Sequence, residues 1–294
     1  MNNSILITGS AGFVGTRLVK KMAVHGFNIQ QADMKNGIDL GNPDSFSDFK
    51  NIDVVIHLAA ITSVPASFED PWRFLSANYM ATLGALEICR RNKAKMIHIS
   101  SYLYGPPQYL PIDESHPITP HNPYAQSKLV SEELCYGYHR DFGIPVTILR
   151  PFNLYGPGLK DNSLIPTIIR QLPSGEVVVL DPEPKRDYLY VDDLCLAINS
   201  AIDADIDGIE VFNLGTGSSV SVETVARMLI RLSGQNIPLI KHNQRRKGEV
   251  MDCVADIGKA SRILNWSPAW SFEEGLISVL DDWGYNSTVN PNDA

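Results

Sequence analysis

Through its first 150 residues the chain repeats one alternation. Short apolar runs give way to longer stretches in which apolar positions return every three or four residues. The apolar runs fall at 4–8, 27–32, 53–60, 95–99 and 144–149, each of a length suited to a strand buried on both faces. Between them, 16–25, 43–50, 71–91 and 124–140 read as helices. In the third of these, Leu75, Ala81, Leu83, Leu86 and Ile88 are apolar. A strand that is always followed by a helix returns to the same sheet by a crossover. The pattern therefore predicts an α/β fold with a parallel, doubly wound sheet.

After Arg150 the rhythm breaks, with prolines at 151, 157, 166, 173, 182 and 184. Short strands are predicted at 177–180 and 187–190, and helices at 163–171, 191–202 and 221–233. A further run at 211–214 reads as a strand that returns to the large sheet. The expected division is a nucleotide-binding domain over 1–152, rejoined by the strand near 209–215, and a smaller C-terminal lobe over 153–283. A polar, disordered tail is expected over 284–294.

Composition narrows the class without changing this picture. With 294 residues, 44% hydrophobic and 20% charged, the chain can bury a large core. Its net charge of −8 and single basic cluster, Arg245-Arg246-Lys247, argue against nucleic acid or an anionic membrane surface as partner. Cys89, Cys135, Cys195 and Cys253 lie far apart without metal-ligand spacing, so free thiols and no metal site are expected. No apolar run approaches the ~18 residues of a membrane span. With no secretory pattern either, a cytoplasmic location is expected.

Three features carry chemistry. Gly9, Gly12 and Gly15 fall between a predicted strand and helix, where glycine permits a tight turn and lets a pyrophosphate approach the helix N-terminus. Asp33 ends the next strand about 20 residues on, placed to accept hydrogen bonds from a ribose diol. Ser100-Ser101 ends the fourth strand, at the edge where open α/β sheets bind ligands. Finally, Tyr124 and Lys128 are four apart on a helix and therefore share a face. An ammonium beside a phenol favours phenolate, which can exchange a proton with an alcohol.

These motifs in this order resemble the extended short-chain dehydrogenase/reductase family of nucleotide-sugar epimerases, reductases and dehydratases. The likeness runs from about Ile5 to Trp283. It includes His57-Leu58-Ala59-Ala60, 100–105, 150–158, 186–193 and 213–217. The resemblance implies a Rossmann-type domain that binds NAD, with NADP the less favoured alternative, and a smaller substrate-binding lobe. It implies cofactor contacts from Gly9, Gly12, Phe13, Val14, Gly15, Asp33, Met34, Asp39 and Leu40. Leu58, Ala59, Ala60, Thr62, Asn78 and Phe152 would line the same site. Ser100, Tyr124 and Lys128 would be catalytic and would also touch the cofactor, with Ser101 the nearest rival to Ser100. Lys128 would bind the nicotinamide ribose and lower the pKa of Tyr124. Ser100, Asn153, Leu164, Arg186 and Arg246 would bind a nucleoside-diphosphate sugar, the two arginines gripping its diphosphate. For Arg186 and for Arg246 the alternative is a surface salt bridge with a nearby Asp or Glu. A homodimer through 71–91 and 122–142 is also implied.

Departures from the family pattern narrow the activity. Ser101 and Tyr102 stand where its 4,6-dehydratases carry an acidic pair, so neither dehydration nor sugar-acid decarboxylation is implied. Ser163 stands where many members have a substrate-binding asparagine. The expectation is an NAD-dependent nucleotide-sugar 4-epimerase. Two alternatives stay open: an NAD(P)H-dependent 4-keto-6-deoxy-sugar reductase, favoured by the short connection from Asp33 to Asp39, and an idle NAD-binding regulator.

Overall fold

The central strands form because their residues have no polar face to offer. Ile5, Leu6 and Ile7 are fully buried in β1 (Ser4–Thr8), with the first and last facing one helix layer and Leu6 the other. The fold is that of a computed structural model, which describes residues 4–24, 26–159, 162–246 and 248–285. Of the expected tail, 286–294 lie outside the described residues.

From β1 the chain runs through α1 (Phe13–Val24) to β2 (Asn28–Ala32) and β3 (Val54–His57). Helices α2 (Val64–Glu69) and α3 (Pro71–Asn92) follow, then β4 (Lys95–Ile99), α4 (Pro123–Phe142) and β5 (Val146–Pro151). Each long helix starts where its sequence can satisfy the free N–H groups of a first turn. Asp70 accepts from Arg73 N at 3.0 Å to cap α3, and Asn122 accepts from Ala125 N at 2.8 Å to cap α4. Gly143, in the left-handed region, ends α4. Three expectations need correction. The third strand stops at His57, and 58–60 leaves the sheet as loop; the run at 43–50 forms only a 3₁₀ turn over Pro43–Phe46; and α2 was not foreseen.

The lobe begins with β6 (Asn153–Tyr155), α5 (Leu164–Gln171), β7 (Val177–Val179), β8 (Lys185–Arg186) and β9 (Tyr188–Tyr190). Helix α6 (Val191–Asp203) then covers the sheet, and β10 (Ile209–Leu214) joins it beside β5 over six residues. The remainder comprises β11 (Val220–Ser221), α7 (Val222–Leu232), β12 (Leu239–Lys241), α8 (Gly258–Leu264) and α9 (Phe272–Asp282). The last two helices were not predicted, although Ser271 and Glu274 form a complete capping box at the start of α9.

The six sheet strands are all parallel, in the order β10-β5-β4-β3-β1-β2. The chain steps outward from β1 to β2 and then back past β1 to β3. The winding therefore reverses between β1 and β3, and a crevice opens beyond their C-terminal ends. Helices α1, α6 and α8 pack on one face, and α3 and α4 on the other.

Candidate functional site

The crevice is closed at its base by backbone meeting backbone. Gly9 ends β1 at φ +65°, and a Cβ there would lie 2.7 Å from the N of Ala59. A Cβ on Gly15 would collide with the Gly9 carbonyl. Only glycine fits at both, and the first turn of α1 is left facing the crevice. Asp33 follows β2 at the same edge, accepting from Ala11 N at 3.0 Å and Lys35 N at 2.9 Å, while Lys35 Nζ donates to Ala11 O at 3.2 Å. Met34 and Asp39 are exposed beside it. Gly12 is exposed within the turn, Val14 packs on the core, and the Phe13 ring points toward Gly156.

Leu58, Ala59 and Ala60 are half-buried and Thr62 exposed along the loop leaving β3. Asn78 holds that loop. It accepts from Ile61 N at 2.7 Å and donates to Ile61 O at 3.1 Å and Ser127 Oγ at 2.8 Å. Both its amide groups are thus engaged within the protein, as for a buried helix asparagine. Leu40 is packed in the core, where its carbonyl abuts Gly84 of α3, so its side chain serves packing. Phe152 is buried with its edge against the Tyr102 ring, centroids 5.1 Å apart.

At the end of β4, Ser100 N donates to Leu149 O at 2.8 Å, while its buried hydroxyl has no partner among the described residues. On α4 the Lys128 ammonium donates to Ile99 O at 2.6 Å. Burial lowers Lys128 to about 8, against an opposing pull from the charge of Glu132. Tyr124 departs from expectation. Burial pushes its phenol up from the ordinary value, and the one group that draws it back is the Ser101 hydroxyl, by hydrogen bond. The expected lowering by Lys128 is therefore not what governs this phenol; desolvation of the anion outweighs it. Ser101 rather than Ser100 is the serine that acts on this phenol.

Behind this wall lies a polar layer that sequence reasoning missed, apart from His57 as a packed strand residue. His57 Nδ1 meets Thr8 Oγ1 at 2.8 Å and its Nε2 meets Thr82 Oγ1 at 3.1 Å; Thr82 Oγ1 donates to Ser131 Oγ at 3.0 Å. Burial lowers His57 to about 3. His98 stacks on it, ring centroids 5.5 Å apart, and is likewise held well below its ordinary value, chiefly by burial.

The lobe supplies the opposite wall. Arg186 is ion-paired with Glu249 and donates to Val250 O at 2.6 Å and Lys185 O at 2.8 Å. The salt bridge named as the alternative for Arg186 is present, made with a residue the sequence had not singled out. Arg246 is exposed and forms no ion pair among the described residues; its neighbour Arg245 pairs with Asp181 and Glu183. Asn153 is exposed beside Cys253, and Leu164 opens α5 half-buried. Buried Asp187 fixes this wall by accepting from Thr216 N at 2.7 Å, Gly217 N at 3.1 Å and Ala255 N at 3.1 Å.

A dinucleotide fits what is present. The glycine turn packs backbone on backbone at the base of the crevice, Ser10 and Ser100 have buried hydroxyls without partners among the described residues, and Asp33 offers a carboxylate at the strand edge. Among the described residues no cluster of His, Cys, Asp or Glu could hold a metal, and no helix is long and apolar enough to cross a membrane.

Residues 5–215 match the model of the NAD dependent epimerase/dehydratase family. A putative UDP-glucose 4-epimerase of Methanocaldococcus jannaschii is 33% identical, over 96% of this chain and 99% of that one. A GDP-6-deoxy-D-mannose reductase of Pseudomonas aeruginosa is 30% identical, over 96% and 98%. The crystal structure of UDP-glucose 4-epimerase from Thermotoga maritima with UDP-glucose superposes with a TM-score of 0.88 at 29% identity, over 96% and 98%.

Proposed function

Because the chain belongs to the NAD-dependent epimerase/dehydratase family, we propose that it inverts C4 of a nucleoside-diphosphate sugar. The observation that carries this is Tyr124 and Lys128 on one face of α4, with Ser100 and Ser101 at the end of β4 beside the glycine cradle. Gly9, Gly15, Asp33 and Ser10 hold the cofactor, and Lys128 its nicotinamide ribose. When bound, the nicotinamide supplies a reversible acceptor for hydride.

Tyr124 accepts the proton of the C4 hydroxyl as that carbon is oxidised, and returns it when C4 is reduced from the other face. Ser101 holds the phenol, and Ser100 is free to donate to the same sugar oxygen. The Lys128 ammonium stabilises phenolate while Tyr124 is deprotonated. Arg246 and Arg186 hold the diphosphate, so the 4-keto ring can turn without leaving. Asp33 favours NAD, because its carboxylate accepts from a ribose 2′-hydroxyl and repels a 2′-phosphate. Exposed Tyr79 and Met80 on α3, with Tyr136 and Phe142 on α4, suit these helices to a homodimer interface. A monomer mass by light scattering at micromolar concentration would exclude that assembly.

Purified protein should interconvert C4 epimers of a UDP- or GDP-hexose with no added reduced cofactor and no net absorbance change at 340 nm. The similarity to the GDP-6-deoxy-D-mannose reductase favours one second reading, a 4-keto-sugar reductase. Stoichiometric NAD(P)H consumption with a 4-keto sugar, and no epimerisation, would replace the first reading with that one.

A further inference from the structure

One turn beyond Lys128 on the same face of α4 stands Glu132. It is 1% exposed, deeper than Lys128 at 4%. Arg150 of β5, itself 3% exposed, clamps it with two parallel bonds, Nε to Oε1 at 2.9 Å and Nη2 to Oε2 at 2.5 Å. The remaining arm, Nη1, donates to Tyr104 OH at 2.9 Å, and that hydroxyl donates to Asn213 Oδ1 at 2.6 Å. Burial opposes the charge on Arg150, but bonding to Glu132 overcomes it, so the guanidinium stays above its ordinary value. A carboxyl this deep without such a partner would take up a proton. Arg150 supplies that partner through the two parallel bonds.

Stability alone is a poor reason to keep this pair, since well-packed apolar residues of similar volume often serve folding as well or better. Its neighbour supplies another reason. Lys128 faces Glu132 and the Cys135 thiol on its own helix, His57 on β3 and His98 on β4. The thiol is raised by burial and both imidazoles are lowered by it, so all three are neutral near pH 7. Glu132 is the one full negative charge among the groups that face the ammonium.

We propose that Glu132, clamped by Arg150, is a positioning residue that keeps the Lys128 ammonium charged one turn from Tyr124. The inference rests on the reading of Tyr124 and Lys128 as the proton-transfer pair. Glu132 acts on the substrate only through Lys128, and its loss removes the charge that favours phenolate from the upper part of the working pH range.

The test reads the lysine itself. The full chain with NAD bound, labelled with ¹³C at lysine Cε and carrying Tyr124→Phe, is titrated by NMR, with the Lys128 resonance assigned by its loss in Lys128→Met. Glu132→Gln leaves a buried guanidinium unpaired, so it is accompanied by the double variant Glu132→Gln/Arg150→Met, which removes both charges together. In either variant that melts in one cooperative transition, the Lys128 midpoint should fall by about one unit. With Tyr124 restored, the alkaline limb of kcat/KM should move down by the same amount, and Glu132→Asp should return both toward the parent. An unmoved midpoint in the folded double variant overturns the proposal, even if activity drops, because Glu132 then serves packing alone. The midpoint is read without turnover, so failure to epimerise would overturn the proposed reaction and leave this measurement interpretable.

Discussion

The two walls of the crevice are made of different material. On the α4 wall, Lys128 is buried and bonded to a strand carbonyl, and behind it Asn78 bonds Ser127 and Thr82 bonds Ser131. On the lobe wall, Arg186 sits on a two-residue strand and is ion-paired with Glu249 on the segment that also bears exposed Arg246. The Arg186–Glu249 pair is partly exposed, and in the proposed reading Arg186 would exchange Glu249 for the diphosphate. A buried lysine cannot move without leaving a charge unpaired. The wall to which chemistry is assigned in the proposed reading is thus the buried one, and the wall assigned the grip is the more exposed one.

The sharpest way to break this contrast is Tyr124→Phe. Turnover should fall by roughly 10²-fold or more with cofactor binding nearly intact, the scale of acid–base catalysis. Near wild-type turnover would remove Tyr124 from the buried wall's chemistry. Arg246→Ala should act on the other wall, raising KM for the nucleotide sugar about tenfold with kcat little changed, as loss of a charge-assisted contact does. An equal fall in kcat would mean that the grip is coupled to the chemistry.

Acid should attack the buried wall. His57 titrates near 6.5 when unfolded and near 3 when buried, so below 6.5 the unfolded chain binds the extra proton. Stability should then decline as pH drops from 6.5 toward 3, by up to ~1.4 kcal/mol per pH unit from this residue. Denaturant titrations giving a flat profile over that window would show His57 is not held neutral. The smallest effect is expected from Glu249→Gln, which frees Arg186 from a competing carboxylate. The dissociation constant for a nucleoside diphosphate should fall about threefold, by isothermal titration, in keeping with the modest strength of such pairs. Weaker binding would instead make Glu249 a support for Arg186.

What the sequence reveals follows the same division. Glycines 9, 12 and 15, Asp33, Tyr124 and Lys128 are legible because strand and helix periods fix their spacing, and local spacing is what a sequence displays. The pull of Ser101 on Tyr124 is not legible, since it depends on how the loop after β4 folds against α4. Nor is the Arg186–Glu249 pair, whose partners are 63 residues apart. His98 gives no signal at all, because burial and stacking on His57 are properties of neighbouring strands. Helices α8 and α9 lie beyond the chemistry-bearing motifs and short of a long apolar period, although Ser271 and Glu274 mark the start of the second.

The return of β10 to the sheet bears on how such a chain can be inherited. Because β10 pairs with β5 across the intervening lobe, a single genetic crossover near codon 152 would join one parent's β5 to another's β10. Asn213 of the second parent would then face Tyr104 and Ile112 of the first, to which it is bonded here. The two architectural halves are therefore not the units of exchange. An exchange that keeps β5, β10 and their partners from one parent needs its breakpoints on either side of the segment between the two strands, or one after β10.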